Sequence, residues 1–225
     1  MPSSPTWPEV PRNACVVIPV GSYEQHGPHL PLDTDTQIAT NLCTTAAHGI
    51  NYVVIAPPLS ITASGEHAGF PGTMSIGTEA LSTVIVELVR SCDWAMGVIL
   101  VHGHGGNLAA VQRATTLLHS EQRNIASWWP RIQGSDAHAG HTETSLMLAI
   151  NPQSVRTNKL EVGNAQPMSE LQHELQTQGV KAVSENGILG DARTATAEHG
   201  EELLAALTED LRSFIHTTYE HWTIT

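Results

Sequence analysis

Short β-branched apolar runs, each followed by a polar loop and then by apolar residues at helical spacing, recur four times in this chain, and that alternation constrains its fold more than any other feature. The first run, residues 14–20, ends at Gly21 as a buried strand ends before its loop. Residues 53–56, 97–101 and 124–129 are the later strands. The first helix takes Thr34 or Asp35 as N-cap, carries Ile38, Leu42 and Ala46, and stops at Gly49. Residues 77–92 form the second, with Leu81, Ile85, Leu88 and Val89 on one face. A third, capped by Asn107, runs to about residue 122, and a fourth opens at Thr142 and ends at Asn151-Pro152. Strand, loop and helix in this order predict an α/β fold, a mainly parallel sheet covered by helices through right-handed crossovers. After a polar, Pro-rich leader (1–13), residues 14–225 are expected to form a single domain. Residues 152–184 are polar and poorly periodic, residues 184–196 are Gly-rich, and residues 197–222 predict a last helix with Leu203, Leu207, Leu211 and Ile215 as its stripe.

In such folds the chemistry lies beyond the carboxyl ends of the strands. The first post-strand loop is Gly21-Ser22-Tyr23-Glu24-Gln25-His26-Gly27-Pro28-His29-Leu30-Pro31-Leu32-Asp33-Thr34-Asp35. Its apolar content is too low for core and its prolines exclude a regular helix. Residues two apart in extended chain point the same way, so Glu24 and His26 aim at one space, and Asp35 returns after a turn. Carboxylate oxygen with imidazole nitrogen suits zinc, manganese or iron(II). The loop over 57–73 carries Glu66 and His67, which are in a position to reach the same crevice. After the third strand comes His102-Gly103-His104-Gly105-Gly106-Asn107, and after the fourth come Asp136, His138, His141 and Glu143.

Acidic residues number 22 against 10 basic ones, which disfavours nucleic acid and anionic membrane surfaces as partners. Cys15, Cys43 and Cys92 are widely spaced within apolar segments, so they are expected to be buried, reduced and structural. No apolar run has the length of a signal peptide or a membrane span, which makes a cytoplasmic location the expectation. A serine hydrolase built on Ser22 or Ser145 lacks the Gly-x-Ser-x-Gly elbow.

Gly-Ser-x-Glu-Gln-His-Gly-Pro-His-Leu-Pro-Leu, His104-Gly-Gly-Asn107 and His138-Ala-Gly-x-x-Glu143-Thr-Ser resemble the creatininase (creatinine amidohydrolase) family, and Phe70-Pro71-Gly72-Thr73 and residues 187–200 extend the likeness over nearly the whole chain. Leu32-Asp33-Thr34-Asp35 and Gly187-Ile188-Leu189-Gly190-Asp191 look most like the mycofactocin-pathway branch of that family. The resemblance implies a three-layer α/β/α domain, two divalent metal ions (Zn, Fe(II) or Mn) per subunit, hydrolysis of C–N bonds and a ring-shaped homo-oligomer. By position Glu24 and His104 would hold one metal, His26 the other, and Asp35 would bridge them. Creatininase itself supplies a carboxylate two residues after the histidine matching His104, where this chain has Gly106, so Glu143 is the expected replacement. His138 would be the acid/base, and His29, His67, His102, Asn107 and Asp136 would be supporting or substrate-contacting residues. The branch resemblance implies a modified precursor peptide as substrate and release of its decarboxylated C-terminal Val-Tyr-derived piece. The alternatives are hydrolysis of a small cyclic amide and a metal-binding partner without turnover.

Overall fold

Strands β1 (Cys15–Val20) and β3 (Gly97–His102) are buried along their whole length, which is why neither shows apolar–polar alternation. In this computed structural model residues 5–224 are described; the first four residues of the expected leader and Thr225 lie outside the described residues. Between β1 and β3 lie α1 (Thr34–Ala46), β2 (Val53–Ile55) and α2 (Gly77–Arg90). After them come α3 (Leu108–Ser120), β4 (Ile125–Trp128) and α4 (His141–Ile150). The sheet has the order β2-β1-β3-β4, and all its pairs are parallel.

Side chains alternate across the two central strands and supply two cores. Cys15, Val17, Ile99 and Val101 meet Ile38 and Leu42 of α1, Met147 of α4 and Leu211 and Ile215 of α7 (Ala197–Ile224). Val16, Ile18, Val98 and Leu100 meet Leu81 and Ile85 of α2 and Ala114 and Leu118 of α3 on the other face. The result is a helix–sheet–helix sandwich, the three-layer α/β/α arrangement expected.

Pro19 stands inside a central strand, where a proline normally forfeits a ladder bond. Its carbonyl accepts from Leu59 N–H at 2.9 Å, on the β2 side of the strand. Pairing with β2 ends at Val17↔Ile55, so the missing N–H of Pro19 faces a position with no strand partner. Pairing with β3 continues to Val20↔His102, and beyond it the chain leaving β1 enters the site.

Several expectations are adjusted. Residue 33, not 34 or 35, precedes the first helical residue of α1, which leaves the Asp35 carboxylate free for the site. Val86 joins the buried face of α2, while Leu88 there and Leu203 on α7 are half-buried. The segment that lacked periodicity holds α5 (Met168–Gln178) and α6 (Val180–Val183). Each buries one residue, Leu171 and Val180, and a single buried position cannot produce a readable stripe. Cys15 and Cys43 are buried and free, and Cys92 is free but only half-buried. No helix among the described residues is long and apolar enough to cross a membrane.

Candidate metal centre

The loops leaving β1, β3 and β4 converge beyond the strands' carboxyl ends. There Glu24, His26, Asp35, His104 and His138 are all buried, and Glu143 is half-buried. Asp35 sits at the middle: Oδ1 lies 3.0 Å from His26 Nε2 and Oδ2 lies 3.3 Å from His104 Nδ1. Ser22 Oγ donates to Oδ2 at 2.8 Å and fixes the carboxylate's rotation. Glu24 Oε1 approaches His104 Nδ1 at 3.1 Å, yet neither Glu24 oxygen completes a hydrogen bond. A buried carboxylate with both oxygens unsatisfied is costly unless a cation belongs beside it. Glu24, Asp35 and His104 offer ligand atoms within 4.8 Å of one another, as do His26, Asp35 and Glu143, and Glu24, His26 and His138. The donor set therefore fits divalent ions, with Asp35 shared between the first two groups.

Backbone carbonyls orient the rings. His26 Nδ1 faces the Glu24 carbonyl at 3.0 Å, and His104 Nε2 faces the Ala63 carbonyl at 3.0 Å. A carbonyl only accepts, so each ring donates outward and keeps its other nitrogen for the centre. Glu143, in the first turn of α4, takes the Ala139 N–H at 2.6 Å on Oε2, the atom that lies 3.8 Å from His26 Nε2. Ala139 has φ +52°, an unusual value for a residue with a Cβ, and this turn aims its N–H at Glu143. His138 is pinned to the 187–190 loop, with Leu189 N–H donating to its carbonyl at 2.8 Å.

The electrostatics follow from packing carboxylates and imidazoles without water. Burial opposes charge on His26, but Asp35, Glu143 and Glu24 raise its pKa to about 10. Burial likewise opposes charge on His104, and Glu24 and Asp35 still hold it well above the ordinary value. Asp35 is held well below the usual carboxylate range, against burial, by His26 and His104. Burial pushes Glu143 up to about 7 despite His26. Without metal, protons therefore occupy the inward nitrogens where cations would sit.

The remaining expected residues divide. His67 joins the cluster, with Nε2 3.3 Å from Glu24 Oε1. His102 is turned away from His104 and the cluster. It is the last residue of β3 and shares the face of Val98 and Leu100, so strand parity turns it away, and it stacks on Trp129 at 3.9 Å. His29 is buried beside α4, bonded to Thr144 Oγ1 at 2.8 Å rather than facing the cluster. Asp136 accepts the Thr142 N–H at 3.0 Å and the His141 N–H, so it caps α4. Asn107 precedes α3 without capping it through its side chain; it accepts from Ala63 N–H at 3.1 Å and donates to the Gly21 carbonyl at 3.0 Å, tying the first two site loops together. His141 bonds Thr194 Oγ1 at 2.9 Å, outside the cluster.

One participant escaped notice in the sequence, and a second was seen only in part. Gln25 reaches His67, His138 and the Gly187 carbonyl. Glu66, noticed only as a residue in reach, places Oε1 3.3 Å from His104 Nε2 and lies in the space that a Cβ on Gly106 would need. Beside Glu143 a cavity of about 120 Å³ is lined by Ile38, Pro130, Ile132, Leu146 and Leu207.

The family model for creatininase, described as creatinine amidohydrolase, matches residues 3–215. A mycofactocin precursor peptide peptidase of Mycolicibacterium smegmatis is 50% identical over 199 residues, covering 85% of this chain and 80% of the relative. A solved creatininase structure titled as the Mn form superposes with TM-score 0.72 at 24% identity, covering 92% of this chain and 91% of the other. A mutant creatininase of Zn–Zn type superposes with TM-score 0.75 at 23% identity, covering 92% and 91%.

Proposed function

The chain belongs to the creatininase family, and on that premise we propose that it is a metal-dependent peptidase that cleaves the modified mycofactocin precursor peptide and releases its decarboxylated C-terminal Val-Tyr-derived piece. The observation that carries this reading is the buried, unsatisfied Glu24 carboxylate facing donors grouped around Asp35, in a chain half identical to a peptidase of that name. Glu24, Asp35 and His104 would hold one divalent ion, and His26, Asp35 and Glu143 a second, zinc, manganese or iron(II) being the chemically suited choices. Bound ions of this kind lower the pKa of water and polarise an amide carbonyl.

The chain's own residues supply the rest. His138 Nε2 is turned to the Gln25 carbonyl at 2.8 Å, so Nδ1 faces the cluster, 3.9 Å from Glu24 Oε1. Burial, with the nearby His26 and His67 rings, keeps its pKa well below the ordinary value, so it enters the reaction neutral. A neutral imidazole in this place takes a proton from the attacking water and passes it to the leaving amine. The cavity beside Glu143, lined by Ser135, Asp136 and Thr142 as well as by apolar side chains, gives a peptide side chain a seat next to the cluster.

The reading includes a homo-oligomer, for which exposed Trp7 and Trp94 offer apolar surface, and a cytoplasmic location, which free cysteines suit. Purified protein incubated with modified precursor, unmodified precursor and creatinine, each with and without chelator, tests it. Chelator-sensitive cleavage of the modified precursor is expected. Turnover of creatinine alone, or cleavage by protein shown by elemental analysis to be metal-free, would overturn it.

A further inference from the structure

Four imidazoles face the cluster, and three share one arrangement. His26, His104 and His138 each turn one nitrogen to a backbone carbonyl, of Glu24, Ala63 and Gln25 respectively, at 3.0, 3.0 and 2.8 Å. Each therefore donates outward. His67 differs. Its outward nitrogen, Nδ1, lies 2.9 Å from the side-chain amide nitrogen of Gln25. Which of them donates depends on how that amide is oriented, and its surroundings decide the orientation.

Gln25 Oε1 accepts the Gly27 N–H at 2.9 Å, and Nε2 donates to the Gly187 carbonyl at 3.0 Å. Flipping the amide would set NH₂ against N–H at one end and oxygen against oxygen at the other, so the orientation is unique. The amide has two hydrogens. One goes to Gly187. The second has two neighbours, His67 Nδ1 at 2.9 Å and His138 Nε2 at 3.1 Å. His138 Nε2 is already committed as donor to the Gln25 carbonyl at 2.8 Å, because two lone pairs at that distance would repel. The second hydrogen therefore belongs to His67 Nδ1, which must be bare, and the ring proton of neutral His67 must be on Nε2. That nitrogen points inward, 3.3 Å from a Glu24 oxygen that completes no hydrogen bond. The fit around the amide is close. Gly187 has φ +79°, and a Cβ there would run into Gln25 Oε1.

We propose that Gln25 fixes the same Nε2–H tautomer on His67 and His138, whose rings turn opposite edges to the cluster, so that His67 offers the site an N–H on Nε2 while His138 offers a lone pair on Nδ1. Gln25 is thus a positioning residue that acts through both rings. His67 is a hydrogen-bond donor, placed beside Glu24, to an oxygen that becomes negative during cleavage, rather than a metal ligand or a base. The catalytic part of this assignment rests on the peptidase reading, whereas the tautomers do not.

The test is long-range ¹H–¹⁵N correlation on ¹⁵N-labelled protein loaded with zinc, with the two rings assigned through His67→Gln and His138→Ala. In the unaltered chain, His67 should show a protonated Nε2 and bare Nδ1, and His138 a protonated Nε2 with Nδ1 carrying no proton. Gln25→Glu keeps the shape but replaces the donor by an acceptor. It should move a proton onto His67 Nδ1, with zinc content and circular dichroism unchanged and kcat on the peptide lowered about tenfold or more, the usual size for a supporting partner. A bare Nε2 on His67, or a proton on His138 Nδ1, in the unaltered protein would overturn the proposal even if Gln25→Glu failed to fold. Correct tautomers in a protein that cleaves no peptide would leave it standing and count against the peptidase reading alone.

Discussion

Glu66 occupies the space in front of Gly106: a Cβ on residue 106 would overlap Glu66 Oε1 and His104 Nε2. The carboxylate enters from the 3-10 turn Gly65–His67, and its Oε1 lies 3.3 Å from His104 Nε2, the nitrogen that also faces the Ala63 carbonyl at 3.0 Å. A site that lacks a side chain at 106 is thereby filled from another loop, and the outward edge of His104 gains a second acceptor. Burial pushes the Glu66 carboxyl upward, but the neighbouring His104 ring holds it below its ordinary value.

Adding a side chain at 106 should therefore act through Glu66. Gly106→Ala is expected to weaken metal binding about tenfold by displacing the partners of His104. Combining it with Glu66→Ala should recover part of the loss, because the two changes compete for one volume. Metal titrations of both single variants and the double variant measure the coupling. Strict additivity would mean that the two positions do not share that space.

Glu143 has two possible roles, ligand or helix-end charge. As a ligand beside His26 and Asp35, its replacement in Glu143→Gln should lower metal content from about two ions per chain toward one and remove most activity with the fold retained. As a charge in the first turn of α4 it would contribute only about half a kcal/mol. Elemental analysis with a melting curve separates the outcomes: two ions and normal turnover would remove Glu143 from the proposed site.

His138→Ala should retain both metals and lose turnover on the order of a hundredfold or more, the usual contribution of a positioned acid/base. Single-turnover cleavage of the modified peptide, beside a metal assay, gives the result directly. Near-normal turnover would leave His138 a structural residue of the 187–190 contact.

Metal and protons compete for the same atoms, which sets a pH dependence. In metal-free protein the His26 pKa is raised from an ordinary 6.5 to about 10, so its stabilising contribution is full below 6.5 and is lost as pH rises toward 10. Glu143, raised from 4.5 to about 7, has the same sign over a lower range. Asp35, held low, has the opposite sign, but its contribution is lost only at acid pH, outside this window. His29, His67, His102 and His138, held low by burial, gain stability as pH rises through 6.5 and offset this below about pH 7, so the metal-free protein should melt at falling temperature from about pH 8 to pH 10, while metal-loaded protein changes little, as differential scanning calorimetry would show. A flat metal-free profile would mean that His26 carries no such proton.

The sequence by itself determined the α/β class and the loops that carry the chemistry, because both are written in local periodicity. Buried strands read as unbroken apolar runs, helices as a 3.6-residue stripe, and Gly- and Pro-rich loops as breaks in both. Glu24, His26, Asp35 and His104 stand out as polar side chains in loops after buried strands, whereas their division between two metals and the roles of His138 and Glu143 are what the family resemblance implies. What local pattern could not decide is where side chains from different loops meet. His102 and His104 stand two residues apart in a histidine- and glycine-rich run, yet His102 is still in the strand and faces Trp129 while His104 has left it and faces Asp35. Glu66 and Gly106 lie in loops after different strands, and only packing shows that one fills the other's space. The tautomers of His67 and His138 depend on Gln25, whose side-chain amide touches residues 27, 67, 138 and 187 and whose backbone carbonyl takes the His138 proton, contacts with no common sequence period. Tertiary structure decided these points because hydrogen-bond direction is set by whichever neighbours arrive from elsewhere in the chain.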